Sequence, residues 1–153
     1  MKNIASLSVD ISKYGERVID NLIKAQSDTA YVIQQDVKFY AESMGTGAYA
    51  ESIQLGETTY DGNTIKTEVY TDATVSDSLG REYNLGALIE YGTRPHLIEP
   101  VNATALHFTK GGKDVFAKYV FHLGTPEQPH FAPALQKNIA LYKSNIRKAL
   151  KEE

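Results

Sequence analysis

The chain has 153 residues, of which 42% are hydrophobic and 23% charged, and its formal net charge is −3 at pH 7. That length suits one domain with one core, and the weakly acidic balance excludes a strongly basic binder of nucleic acid or anionic membrane. The absence of cysteine excludes disulfides, thiolate metal sites and cysteine nucleophiles. No apolar run is long enough to span a membrane, and the first residues lack a signal-peptide core. We therefore expect a protein made in the cytosol, with no membrane partner.

The aromatic residues are ten Tyr and five Phe, with no Trp. Tyr combines rigid apolar area with a polar tip, which suits protein–protein contact surfaces. It also suits half-exposed strands, so this feature favours a contact surface without requiring one.

The N-terminal third predicts one long amphipathic helix over about residues 11–43, because apolar or small residues recur there in steps of three and four. Ser8 or Asp10 would cap its start, and Gly45 and Gly47 would end it. Such a helix would run for roughly 45 Å. It must lie along a sheet or a neighbour, or else break near residues 26–28.

The middle of the chain predicts strands. Residues 50–59 alternate weakly, and residues 64–71 alternate clearly on the far side of an Asp61-Gly62-Asn63 turn. Residues 74–81 are polar and predict a loop. Residues 85–91 form the most apolar run and predict a central strand, which Gly92-Thr93-Arg94-Pro95 would break sharply.

The last third predicts a hairpin and then a helix. Two strand-like runs, 105–110 and 113–121, flank Gly111-Gly112. Pro133 suits the first turn of a helix over about residues 132–150. Taken together, the chain predicts a single α+β domain over residues 1–153. Its mainly antiparallel sheet, of four to five strands over about residues 50–121, would be packed by the two helices.

Four histidines raise the question of a metal site. His96, His122 and His130 each stand beside a predicted corner, and with Glu90 they would form the site of a metal-dependent hydrolase. Their spacing lacks the short intervals typical of zinc motifs. Ordinary polar corner residues are therefore the favoured interpretation, and the hydrolase is kept as an alternative function.

The sequence gives little support for a serine nucleophile, a phosphate-binding loop or a nucleic-acid-binding surface. There is no Gly-x-Ser-x-Gly elbow, and the segment around Gly111 lacks the strand–loop–helix frame of a phosphate loop. Lys110, Lys113 and Lys118 make a small basic hairpin, and the last helix adds five more cations. These cations keep a small nucleic-acid-binding module as a second alternative, although the acidic overall balance favours a solvated surface. We predict no catalytic residue, no metal and no cofactor.

Glu90 is the most informative charge, because it lies within the most apolar run. A buried carboxylate needs a partner. Arg94, Arg81 or an arginine of a neighbouring subunit would supply one, and we expect a structural ion pair that fixes the corner.

Four segments of the chain resemble one family in the same order. They are Thr46-Gly47-Ala48-Tyr49-Ala50-Glu51-Ser52-Ile53, Leu88-Ile89-Glu90-Tyr91-Gly92-Thr93-Arg94-Pro95-His96, the Ala105-Leu106-His107-Phe108 hairpin with Val120-Phe121-His122-Leu123-Gly124, and Pro129-His130-Phe131-Ala132-Pro133-Ala134-Leu135. Together they resemble the tail-completion or head–tail joining proteins of long-tailed bacteriophages, typified by the Hong Kong 97 gene product ten. The chain departs from the family at Met44-Gly45, Tyr49 and Ala50. There the family often has a proline, a leucine and a basic residue.

The resemblance implies a structural virion-morphogenesis protein without enzymatic activity, located at the head–tail junction. Its copies would form a ring, commonly a hexamer, that meets connector and tail-tube or tail-terminator proteins and makes a passing contact with DNA. We expect three groups of residues to matter. The oligomer or partner interface is Lys110, Gly111, Gly112, Lys113, Phe116 and Tyr119; the structural corner is Glu90, Gly92, Thr93, Arg94, Pro95 and His96; and the start of the last helix is Phe131 and Pro133.

Overall fold

The computed structural model of the chain describes residues 4–10, 15–77 and 79–151. None of the helices in these residues is long and apolar enough to cross a membrane. The described elements, in chain order, are β1 (Ile4–Asp10), α1 (Glu16–Ser43), α2 (Gly47–Glu51), β2 (Ile53–Leu55), β3 (Thr59–Tyr60), β4 (Thr64–Thr71), β5 (Thr74–Ser76), β6 (Glu82–Asn84), α3 (Leu85–Tyr91), β7 (His96–Ile98), β8 (Leu106–Lys110), β9 (Lys113–Ala117), β10 (Val120–His122) and α4 (Phe131–Ala149).

The predicted alternating strand over residues 64–71 is confirmed as β4, the centre of the main sheet. Its alternate side chains, Ile65, Thr67, Val69 and Thr71, are all buried. β1 pairs antiparallel along one side of β4, and the short strands β2 and β3 pair antiparallel along the other. The predicted turn at residues 61–63 joins β3 to β4, where the Asp61 carboxylate accepts hydrogen bonds from the backbone N–H groups of Asn63 and Thr64.

α1 and α4 lie side by side and cover one face of this sheet, as the predicted α+β fold requires. Ile33 and Val37 of α1, Val69 of β4 and Phe131 of α4 belong to the main core cluster. Leu22, Ile65 and Ala149 form a second cluster further along the helices. The two long amphipathic helices predicted from the sequence are therefore confirmed.

α1 runs unbroken for 28 residues along the sheet, so the first of the two alternatives holds and the helix does not break at residues 26–28. A buried polar contact ties this part of the helix to the sheet. The fully buried Gln26 amide donates to the backbone carbonyls of Leu7 and Ile65 at 2.7 and 2.9 Å, and its carbonyl oxygen accepts from the Tyr142 hydroxyl. The helix is about 42 Å long at the standard rise, and the sheet supports its length.

The predicted start of α1 was wrong in part. α1 begins at Glu16 after Gly15, and residues 11–14 of the predicted helix lie outside the described residues. Ser8 and Asp10 do not cap it, because both belong to β1, a strand that the sequence did not predict. The predicted end is confirmed, since the helix stops at Ser43 and Gly45 has a φ of 77°.

The predicted central strand over residues 85–91 was wrong, because this run forms the short helix α3. The Asn84 side chain accepts a hydrogen bond from the Ala87 N–H at 2.9 Å and caps the helix. A short apolar run does not distinguish strand from helix by periodicity. Asn84 was the signal that would have decided between them.

Three further predictions need correction. The polar loop predicted over residues 74–81 lies within a small antiparallel hairpin of β5 and β6. The strand predicted over residues 50–59 is shorter, since residues 47–51 are helical and only β2 and β3 are extended. The strands predicted within residues 50–121 also do not form one sheet, because β5–β6, β7–β10 and β8–β9 are separate two-stranded sheets.

Candidate functional site

The segment from residue 92 to 129 connects α3 to α4, and we call it the arm. It holds two antiparallel ribbons, β7–β10 and β8–β9. No residue of the arm is buried, and none belongs to either core cluster. An isolated two-stranded ribbon is at best marginally stable in water. The arm therefore depends on how its base is attached.

The arm begins and ends at a close crossing of backbone, the neck, formed by Gly92, Thr93, Gly124 and Thr125. Thr93 and Thr125 exchange two backbone hydrogen bonds, of 3.0 and 3.2 Å. Gly92 and Gly124 have φ values of 66° and 83°. A Cβ at Gly92 would overlap the Thr125 carbonyl oxygen, and one at Gly124 would overlap the Thr93 carbonyl oxygen. Both positions therefore require glycine.

The predicted corner after residue 91 is confirmed at this neck. α3 ends at Gly92, and the chain then runs through Arg94 and Pro95 into β7. The His96 ring nitrogen Nδ1 lies 2.9 Å from the Arg94 carbonyl oxygen. Because this carbonyl is an acceptor, Nδ1 carries the proton.

Directly beside the neck, Glu90 binds the first turn of α4. Its carboxylate accepts backbone N–H bonds from His130, Phe131 and Ala132 at 2.7, 3.0 and 3.0 Å. These N–H groups have no partner within the helix, and the helix dipole favours a negative charge at this end. We call Glu90, this first turn, His130 and Tyr49 the clamp. The predicted helix start at Phe131 and Pro133 is confirmed.

The expectation that Glu90 is buried is confirmed, since it is only 4% exposed. The predicted partners within the chain were wrong. Arg81 instead pairs with Asp77 at 2.7 Å, and Arg94 is exposed. Sequence reasoning looked for a cation, whereas three backbone N–H groups satisfy this carboxylate.

His130 completes the clamp from inside and is fully buried. Its Nδ1 faces two acceptors, the Glu90 carboxylate at 2.9 Å and the Gln128 carbonyl at 3.1 Å. Nδ1 therefore carries the proton, and Nε2 accepts the Tyr49 hydroxyl at 2.7 Å. Burial raises the pKa of Tyr49, and the Glu90 charge raises it further. The Tyr49 hydroxyl is therefore a permanent donor.

Burial also lowers the pKa of His130, although the Gln128 carbonyl and the Glu90 charge act in the opposite direction. The unfolded chain takes up a proton at the ordinary histidine pKa of about 6.5, whereas the folded chain does so only at lower pH. We therefore predict that the free energy of unfolding falls as pH drops below about 6.5, by up to about 1.4 kcal/mol per pH unit. Urea unfolding between pH 8 and 5 measures this.

The matched variant is His130→Gln, which removes the titrating ring. It should be less stable than the wild type at neutral pH, but its stability should fall less steeply between pH 7 and 6. Equal slopes for both proteins would contradict the assignment.

The three histidines of the alternative metal site are not equivalent in the structure. His96 and His122 face each other across β7 and β10, with ring centroids 5.0 Å apart. His130 is buried in the clamp with both ring nitrogens engaged. Within the described residues, no group of three His, Cys, Asp or Glu side chains is arranged to hold a metal ion.

The predicted interface residues all lie on the arm. Lys110, Gly111, Gly112 and Lys113 form the exposed tip of the β8–β9 ribbon, where both glycines have positive φ, as a two-residue type I′ turn requires. The predicted hairpin around them is confirmed, although its second strand ends at Ala117. Phe116 and Tyr119 are 70% and 64% exposed. The structure thus leaves these residues exposed to solvent.

Sequence reasoning missed an apolar face on the β7–β10 ribbon. Leu97 and Phe121 are cross-strand partners and are 51% and 59% exposed. Leu123, two residues beyond Phe121, is 79% exposed. The alternation of Tyr119, Phe121 and Leu123 was the available signal, because alternate residues share one face of a strand.

Comparison of the chain with protein-family models, with curated proteins and with solved structures gives no match.

Proposed function

We propose that this chain is a structural protein of a tailed phage or prophage, acting in tail completion and head–tail joining within a ring of identical copies. The observation that carries the proposal is the arm. Its 38 residues bury no side chain within the subunit, yet it is attached through a rigid neck and a buried clamp. The side chains of the arm therefore become buried only by contact with another chain.

The number of exposed apolar side chains supports this proposal. Eight large apolar side chains of the arm are exposed, namely Leu97, Ile98, Val101, Phe108, Phe116, Tyr119, Phe121 and Leu123. Single exposed apolar residues are ordinary, but Leu97 and Phe121 lie directly opposite each other, and adjacent exposed apolar residues are typical of contact surfaces. Aromatic residues are also the preferred anchors of interfaces. We infer that these side chains pack on a neighbouring copy.

Three of the four segments that carry the resemblance to the tail-completion family meet at the neck and the clamp. Glu90, Gly124 and His130 come one from each of these segments; the Glu90 carboxylate accepts the His130 N–H, and Gly124 lies against the Thr93 carbonyl. The fourth segment contributes Tyr49, where the chain departs from the family, so its contact with His130 does not support the resemblance.

The proposed ring would be a homo-oligomer, with a hexamer as the expected state. Closed rotational symmetry satisfies every copy's contact surface and leaves no free end. Its partners would be the phage connector and the tail-tube or tail-terminator proteins. Lys110, Lys113 and Lys118 would make the passing contact with DNA through non-specific charge. In this role the protein needs neither a catalytic residue nor a cofactor.

The test is to make the apolar face of the arm polar. We expect Phe121→Ser with Leu123→Ser to abolish ring formation, because two central apolar anchors are removed. Light scattering and negative-stain electron microscopy would show rings for the wild type and single subunits for the variant. Circular dichroism should show an unchanged fold, since both side chains are exposed.

Phe39→Ser is the matched control, since Phe39 is equally exposed, at 65%, but lies on α1. This variant should form rings normally. If rings persist in the arm variant, the role of the arm is wrong. Gold-labelled antibody on tailed particles should in addition mark the head–tail junction; label along the tail or on the capsid would contradict the proposed location.

A further inference from the structure

The main sheet has two unlike edges. On one side of β4 the edge is formed by β2 and β3, which are three and two residues long and are separated by residues 56–58. Short, interrupted strands resist pairing with another chain. On the other side lies β1, which is seven residues long and pairs with β4 along its whole length. In the described chain no strand pairs with the outer side of β1.

The backbone direction along β1 follows from the pairing. The Glu68 carbonyl accepts the Gly56 N–H on the β2 side, so the backbone groups of Glu68 face away from β1. Directions alternate along an antiparallel pair, so Ser6 and Ser8, opposite Glu68 and Lys66, direct their N–H and C=O groups outward. The Ser8 carbonyl already accepts the Tyr142 hydroxyl at 3.2 Å. The Ser6 groups and the Ser8 N–H remain available for a strand.

We propose that the outer edge of β1 receives β8 from the arm of a second copy, so that the arm extends the neighbour's main sheet. This inference rests on the proposed ring and names its contact surface. β8 is five residues long, and its only strand partner is β9. Both strands thus lack a second neighbour of matching length, and strand addition supplies one to each.

Charge favours β8 over β9 as the docking strand, and it determines which end of β1 lies beside the ribbon tip. At the ribbon tip Lys110 lies opposite Lys113, and like charges placed directly opposite destabilise a strand pair. β1 ends at Asp10, the partner of Thr64. Docking of β8 with the ribbon tip at this end sets Lys110 beside Asp10, and β8 then runs parallel to β1. β8 has no acidic residue, whereas β9 carries Asp114, so β8 fits the acidic end better.

The absence of cysteine makes crosslinking a clean test. Ser8→Cys protein is mixed with Thr109→Cys protein and treated with a bismaleimide, which tolerates a small shift in register. We expect crosslinked dimers from this mixture. The control mixture replaces Ser8→Cys with Gln54→Cys. Gln54 is exposed and lies on β2, at the opposite edge of the main sheet, so this mixture should give no crosslinked dimers. Dimers formed by Ser8→Cys protein alone would show β1 pairing with β1 and would overturn the proposal.

A proline variant tests the backbone bonds themselves. Ser6→Pro removes an outward N–H and leaves the β1–β4 bonds intact, which edge strands tolerate. We expect the self-association constant to fall about tenfold, the equivalent of one or two lost hydrogen bonds, while Ser6→Ala leaves it unchanged. If the wild type forms rings but Ser6→Pro and the crosslinks show no effect, only this contact is wrong. If the wild type stays a single subunit at every concentration, the ring itself is wrong as well.

Discussion

Replacement of Glu90 by Gln is expected to lower the free energy of unfolding by about 3 kcal/mol, one of the largest effects of any single substitution in this chain. The carboxylate accepts three backbone N–H groups in a site where its side chain is only 3% exposed. Gln keeps the shape but turns an N–H₂ group toward these donors and removes the charge that the helix dipole favours. At least one N–H is then buried without an acceptor.

Urea unfolding at neutral pH measures this loss. Glu127→Gln is the matched control, because Glu127 is an exposed carboxylate near the same end of the arm. Its removal should change stability by less than about 0.5 kcal/mol. A Glu90→Gln protein as stable as the control would show that α4 does not depend on this carboxylate for its N-terminal bonds.

Replacement of Gly124 by Ala is expected to open the neck. The new Cβ would overlap the Thr93 carbonyl oxygen, and the backbone at Gly124 lies in the region that favours glycine, with a φ of 83°. Strain and overlap together should cost about 3 kcal/mol. Because no residue of the arm belongs to the hydrophobic core, this cost appears as local opening and leaves the helical core folded. The reciprocal Thr93–Thr125 bonds are the first to break.

Amide hydrogen exchange at Thr93 and Thr125 reports this opening directly. We expect their exchange to quicken about a hundredfold, which corresponds to the same free energy. Gly112→Ala is the control, because Gly112 also has a positive φ, of 76°, but nothing lies near its Cβ position. That substitution should leave exchange at the neck unchanged. Unchanged amide exchange in Gly124→Ala would mean that the backbone crossing at the neck can widen without a cost in free energy, and would contradict this prediction.

The sequence predicts those parts of the fold in which a local pattern decides the structure. The strict alternation of residues 64–71 specifies β4, and the recurring apolar stripe specifies both long helices. Gly111 and Gly112 specify the hairpin tip because only a type I′ turn uses two positive φ values in sequence. In each case neighbouring residues alone carry the information.

The failures occur where distant residues decide. Residues 85–91 are apolar enough for a strand, but the Asn84 cap and the packing of Gly86 against Thr71 and Tyr49 make them a helix. β1 is short and half polar, and its structure comes from pairing with β4, some sixty residues away. Local propensity does not contain such pairings.

In the candidate site, too, the features set by neighbouring residues were predictable from the sequence, and the contacts between distant residues were not. Burial of Glu90 was predictable from its apolar neighbours, but its partners lie 40 to 42 residues further along the chain. His130 was predicted as a corner residue beside a helix start, and its contact with Tyr49 spans 81 residues. The exposed tip was predictable from its turn. The alternation of Tyr119, Phe121 and Leu123 indicates that these side chains share a face, but it does not predict that the face is exposed, because the same alternation would serve a buried strand.

The claim on which the rest depends is that the arm is packed only when copies meet. Hydrogen exchange along residues 92–129, in dilute subunits and in assembled rings of the same protein, tests it most directly. We predict rapid exchange throughout the arm in the dilute subunit and strong protection of β7, β8 and β10 on assembly. An arm that is equally protected in both states, or that stays unprotected in the ring, would contradict the account.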